Sequence, residues 1–208
     1  MTTEEKVKEI KQAFRQAMDG ATAQSMRQKG LDYRLNWGVA IPQLRQMAEE
    51  LTQEGTDLAA LGARLWREDV RECKILATML MPPGEMPPAL ADLWMEQTPT
   101  LEIAEQAVFN LYRHLPYAAD KAFEWIASPS DMPQVCGYHV LSRLFMGGRE
   151  INERAINEFL DQAVTALQSG SPALRKAAMQ AMVHFADMSI MHQRLAKSAT
   201  RRIGLTFL

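Results

Sequence analysis

LGARLWREDVRECKILATMLM, residues 61–81, decides the fold class. Apolar residues recur at spacings of three and four on both sides of a short polar break, RED at 67–69, which is the period of a helix packed on one face. Two later stretches repeat the scheme of apolar helix end, short break and second helix. They are FEWIASPSDMPQVCGYHVLSRLF, 123–145, and AVTALQSGSPALRKAAMQAMVHFA, 163–186. IPQLRQMAEEL, 41–51, places Ile41, Leu44, Met47, Ala48 and Leu51 on one stripe, with Pro42 in the first turn where its missing N–H costs nothing. No segment of comparable length alternates with period two, so no strand is expected.

The breaks QTPT (97–100), SPSD (128–131) and GSP (170–172) carry N-cap residues or a helix-starting Pro. With RED they recur after roughly 30 to 40 residues, the spacing of stacked helical hairpins. The expected architecture is all-α. An α-α superhelix, or solenoid, of about six HEAT-like antiparallel helix pairs forms a single repeat domain over 1–208. MPPGEMPP, 81–88, reads as a rigid connector inside the array.

A chain of 208 residues with 47% hydrophobic and 23% charged residues buries a core without staples. Cys73 and Cys136 lack the paired spacing of metal or redox motifs and read as buried thiols of a cytoplasmic protein. The charged start MTTEEKVKEIKQ has no signal-like apolar stretch, and no run of about 18 apolar residues suggests a membrane span. The four histidines show no helical-turn pairing of ligands, and neither a phosphate-cradling loop nor a nucleophile elbow is present, so no metal or cofactor is expected. Trp66, Trp94 and Trp125 occupy apolar helical positions and read as core. Gly147-Gly148 reads as a helix stop.

Two features carry chemistry. Taking 100° per residue from Leu101, an apolar arc forms from Leu101, Ala104, Val108, Phe109, Leu111, Tyr112 and Leu115, with Glu105 inside it and Glu102 at its edge. A carboxylate in that position must find a donor, take a proton or face a groove. The second feature is a late cluster of cations. With a net charge of −2 the whole chain is no polycation. Locally, however, Arg194, Lys197 and Arg201 share a helical face, with Arg202 beside them and Arg175 and Lys176 one helix earlier. Such a cluster is either a solvated face or a set of phosphate contacts.

WGVAIPQLRQMAEEL, 37–51, resembles the DNA alkylation repair enzyme family, the AlkD-like HEAT-repeat glycosylases, in its Gly-Val, Pro and Leu-Arg pattern. LWREDVRECKILATMLM resembles the family's second repeat, WIASPSD its mid-chain helix end and LRKAAMQAM its late basic helix, so the likeness runs from about Trp37 to Phe185. The resemblance implies a basic concave groove holding duplex DNA, alkylated or not. It also implies a carboxylate and aromatic residues beside the lesion. The family's tryptophan and aspartate fall on Leu101 and Glu105, a second tryptophan falls near Gln180, and a basic residue falls near Val135. Arg175 and Lys176 match the basic pair. Three readings follow: a DNA-binding repeat protein with a weakened or lost glycosylase site, a protein-interaction scaffold without DNA binding, and an active glycosylase using Glu105.

Overall fold

Twelve α-helices and no strand make up the described residues, 2–207, of the computed structural model. They are α1 (Thr3–Gln16), α2 (Gly20–Gln28), α3 (Ile41–Gln53), α4 (Leu58–Trp66), α5 (Arg71–Leu80), α6 (Pro88–Glu96), α7 (Leu101–Asn110), α8 (Ala118–Ile126), α9 (Asp131–Met146), α10 (Glu153–Leu167), α11 (Pro172–Asp187) and α12 (Ile190–Arg201). The all-helical expectation holds, and the breaks fall where the sequence places them. Asp57, Thr100, Asn152, Ser171 and Ser189 each accept a backbone N–H of the following first turn. Four-residue connections join α4 to α5, α8 to α9 and α10 to α11, and each pair packs together. Links that short leave only antiparallel hairpins. No described helix is long and apolar enough to cross a membrane. The helices divide into two compact units, Met1–Pro116 and Tyr117–Leu208.

In the first unit α5 is central, packing on α3, α4 and α7. Nine of its ten residues are buried, including Arg71, Glu72 and Lys74. Charged groups tolerate such burial only when fully partnered. The Arg71 guanidinium forms a fork on Glu102, with Nε to Oε2 at 2.9 Å and Nη2 to Oε1 at 2.6 Å, and donates from Nη1 to the Val39 carbonyl at 3.0 Å and to Glu72 Oε1 at 3.1 Å. Glu72, fully buried, accepts the backbone N–H groups of Trp37 at 3.2 Å, Gly38 at 3.0 Å and Val39 at 3.2 Å. The Tyr33 hydroxyl donates to Glu102 as well. Gly38 has φ +76°, and a Cβ there would lie 2.1 Å from the Asp19 carbonyl oxygen, so only glycine lets the loop close on α2. Lys74 donates to the Trp66 carbonyl at 3.0 Å and lies 4.5 Å from the centroid of the Trp66 ring, which stacks on Trp94 at 4.3 Å.

The helix holding Glu105 corrects the arc drawn from sequence. α7 ends at Asn110, Leu111 leaves helical geometry at φ −131° and ψ −63°, and a 3-10 turn covers Tyr112–His114. Leu111, Tyr112 and Leu115 therefore do not share the helical phase of 101–110, and including them rotated the inferred core face. The buried face is Ile103, Ala104, Ala107 and Val108, while Leu101, Glu105 and Phe109 form an exposed stripe at i, i+4 and i+8. Glu105 is exposed, and the partly buried carboxylate of this helix is Glu102.

In the second unit α9 packs against both α8 and α11, and α12 packs on α10 and α11. Phe145, Phe159 and Phe185 form its aromatic centre, with ring centroids 5.1 to 5.4 Å apart. Gly137 lets α8 and α9 touch. A Cβ there would meet Ile126 Cγ2 at 2.7 Å and the Ala122 carbonyl oxygen at 2.8 Å. Gly148, at φ +73°, ends α9 as expected of the Gly-Gly stop. Both cysteines are buried and free, and burial pushes the Cys73 thiol up to about 12.

Arg71→Met is expected to destabilise the protein by about 3–5 kcal/mol, because it strips the cation from the buried Glu72 and the partly buried Glu102. Urea unfolding measures this, and a loss below about 1 kcal/mol would contradict the role given to Arg71. Burial raises the pKa of Glu102, but the Arg71 and Tyr33 hydrogen bonds outweigh it and hold the carboxyl below its ordinary value. The stabilisation from Glu102 is therefore complete above about pH 4.3, the unfolded-state value, and is lost as pH falls through the lower folded value. Glu102→Gln should flatten that acid limb.

Candidate nucleic-acid interface

The six cations singled out in the sequence lie on two helices of the second unit that pack on each other, with Arg202 at the C-cap of the second. Leu174, Ala177, Ala178, Ala181, Met182 and Phe185 turn α11 inward, which leaves Arg175 and Lys176 exposed. On α12 the inward face is His192, Ala196, Ala199 and Thr200, so Arg194, Lys197 and Arg201 come together on the outward stripe. Arg194 and Arg201 are exposed and Lys197 is half-buried; Arg202, at the C-cap, is exposed. Among the described residues, none of the six forms an ion pair. Arg175 donates instead to the Ser169 carbonyl at 2.6 Å. Between Asp161 and the C-terminus the one acid in the sequence is Asp187, against these six cations. This stretch of sequence therefore carries an excess of positive charge, although the whole chain is slightly acidic.

One of the six cations, Lys176, also acts on His139 of α9. Burial, then the positive charges of Arg143 and Lys176, push its imidazole down to about 4, so it stays neutral at physiological pH. Ser142 Oγ and His184 Nδ1 lie 2.7 Å apart. Ser142 is buried, which makes this pair a link between α9 and α11 rather than an exposed nucleophile.

Glu105 belongs to the first unit. One turn after it, Phe109 carries the Arg113 guanidinium 4.5 Å from its ring centroid. Both line a groove of ≈ 460 Å³ whose other polar residues include Arg45, Glu49, Asn110 and His114. Arg113 Nε donates to His114 Nε2 at 3.0 Å. Burial and the neighbouring Arg113 charge hold His114 below the usual histidine range, consistent with a neutral ring accepting that bond. The sequence offered little sign of this groove, because α3 and α7 are far apart along the chain. Leu101, where the family resemblance calls for an aromatic, is exposed beside Glu105; Gln180 is exposed and Val135 is buried. No described group of three or more His, Cys, Asp or Glu side chains could hold a metal ion.

The sequence profile of the DNA alkylation repair enzyme family matches residues 10–178. A solved structure described as a new family of proteins related to the HEAT-like repeat DNA glycosylases with affinity for branched DNA structures superposes with a TM-score of 0.81. It is 16% identical, and the match covers 95% of this chain and 83% of that one. The likeness establishes a shared fold. No curated protein matched the chain in sequence.

His139 is expected to titrate with a midpoint of about 4 in an NMR titration of the imidazole Cε1–H, against about 6.5 for a free histidine. Because the unfolded chain takes up this proton first, the His139 contribution should lower stability as pH falls from about 6.5 toward the folded value. A midpoint near 6.5 would show that the ring is solvated.

Proposed function

The chain belongs to the DNA alkylation repair enzyme family, and on that premise we propose that it binds duplex DNA through phosphate contacts from α11 and α12, with a glycosylase site that is weakened or lost. The observation that carries the reading is the set of six cations without ion-pair partners among the described residues, facing a single nearby acid in sequence. Side chains that hold phosphates must be reachable and must not already be neutralised, and Arg175, Lys176, Arg194, Arg201 and Arg202 are exposed. The fold shared with a relative of affinity for branched DNA makes a forked or four-way junction the apt comparison probe.

The weakened site rests on residue chemistry. Cleavage of a glycosidic bond develops positive charge on the sugar, which a carboxylate stabilises and a stacked aromatic helps to position. Glu105 supplies the carboxylate on an exposed stripe, but its neighbour one turn earlier is Leu101. The exposure of Glu105 favours a second reading, residual excision of a cationic alkylated base with Glu105 as the stabilising group.

Binding to a linear duplex should weaken linearly in log salt, with a slope of about −0.9 per phosphate neutralised. The double variant Arg194→Ala, Lys197→Ala should reduce that slope by about 2 and spare fold and thermal midpoint. No affinity at low salt would refute the DNA-binding reading. Release of methylated purine from DNA, measured by chromatography, is expected at or near background. Release that falls at least about tenfold in Glu105→Gln would establish the second reading in its place.

A further inference from the structure

Ile190 is 72% exposed, more than any other large apolar side chain among the described residues. It stands at the first position of α12, and the cations of that helix follow it at intervals that place all four residues on one side. Ile190, Arg194, Lys197 and Arg201 are i, i+4, i+7 and i+11, a straight stripe of about 16 Å at 1.5 Å per residue. Met191, 56% exposed, and Leu195, 36% exposed, flank the stripe. α12 itself is held by its opposite face, packed on α10 and α11, and Ser189 caps its first turn. An apolar tip thus projects from the end of a rigid row of positive charges, and the sequence-profile match stops at residue 178, ahead of this helix.

From this arrangement we infer that Ile190, supported by Met191, is a wedge that enters an opened base step of DNA while the α12 cations hold the adjoining phosphates. The inference rests on the phosphate-binding reading above and adds a structural preference to it. Phosphate contacts from Arg194, Lys197 and Arg201 bring the helix to any duplex without regard to sequence. An exposed isoleucine gains nothing from a phosphate surface, but it gains by leaving water between two unstacked bases. In an intact duplex that entry must first unstack the step. At a bulge, fork or junction the step is already open, so the tip converts uniform electrostatic affinity into a preference for distorted DNA. The occupant is DNA rather than a bilayer because α12 offers only three exposed apolar side chains, Ile190, Met191 and Leu195, beside the cations, short of the wide apolar face that a membrane-surface helix buries.

The test uses the full chain with a linear duplex and the same duplex carrying a central two-nucleotide bulge, with 2-aminopurine beside the bulge. Wild type is expected to bind the bulged duplex about tenfold more tightly and to raise the 2-aminopurine signal as the base unstacks. Ile190→Gln should retain affinity and salt slope on the linear duplex and lose both the preference and the fluorescence change, whereas Ile190→Leu should keep them. Ile190 is exposed, so circular dichroism should be unchanged in both variants. If wild type binds neither DNA at low salt, the phosphate reading falls and takes the wedge with it. If wild type binds both DNAs equally, or if Ile190→Gln keeps the preference, the wedge alone is overturned. Co-sedimentation with phosphatidylserine vesicles that depends on Ile190, without any effect of Ile190→Gln on bulged DNA, would reassign the tip to a membrane surface and overturn the inference.

Discussion

The first unit is organised around one guanidinium. Arg71, 1% exposed, forks onto Glu102, reaches Glu72 and donates to the Val39 carbonyl, and so links α5, α7 and the segment that leads into α3. Glu72 completes the arrangement by accepting three successive backbone N–H groups from Trp37 to Val39. A loop that passes through a protein interior leaves its peptide donors unsatisfied unless something on the inside accepts them. Here a carboxylate does so, and a neighbouring cation balances the charge. Replacing any one member leaves the others buried without compensation, which is why the set acts as a unit.

This constraint bears on function through α7. Glu102 is committed to Arg71, and that commitment fixes the rotation of the helix about its axis. With Glu102 turned inward, Ile103, Ala104, Ala107 and Val108 fill the core, and Leu101, Glu105 and Phe109 face solvent. Two carboxylates three residues apart on one helix thus have different environments. One is a structural ion-pair partner, and the other is free to meet a ligand. The second unit separates roles in a similar way. Alanines on the inner faces of α11 and α12 allow close packing, and the cations stand on the outer faces.

Much of the fold was legible from residue patterns. Stripes at spacings of three and four, N-cap residues in the breaks at 97–100 and 170–172, and prolines at helix starts mark the hairpins because helix boundaries depend on local backbone chemistry. The cation stripe of α12 was also legible, since a helical face follows from spacing alone once the helix is established. The orientation of Glu105 was not. The arc drawn through Leu115 assumed one continuous helix, and the backbone turn at Leu111 breaks the phase. No cap or proline announces that turn.

The sequence by itself determined the all-helical hairpin arrangement, the family resemblance and the local excess of positive charge, because each depends on residues near one another along the chain or on simple composition. Tertiary structure decided which carboxylate of α7 is inward, which charges of α5 are paired, and that a groove opens beside Phe109. Those outcomes depend on partners 30 or more residues away: Arg71 and Glu102 are 31 apart, and Glu72 and Val39 are 33 apart. Burial makes such pairings obligatory once the segments meet, but spacing along a helix carries no record of which distant donor a buried carboxylate will find.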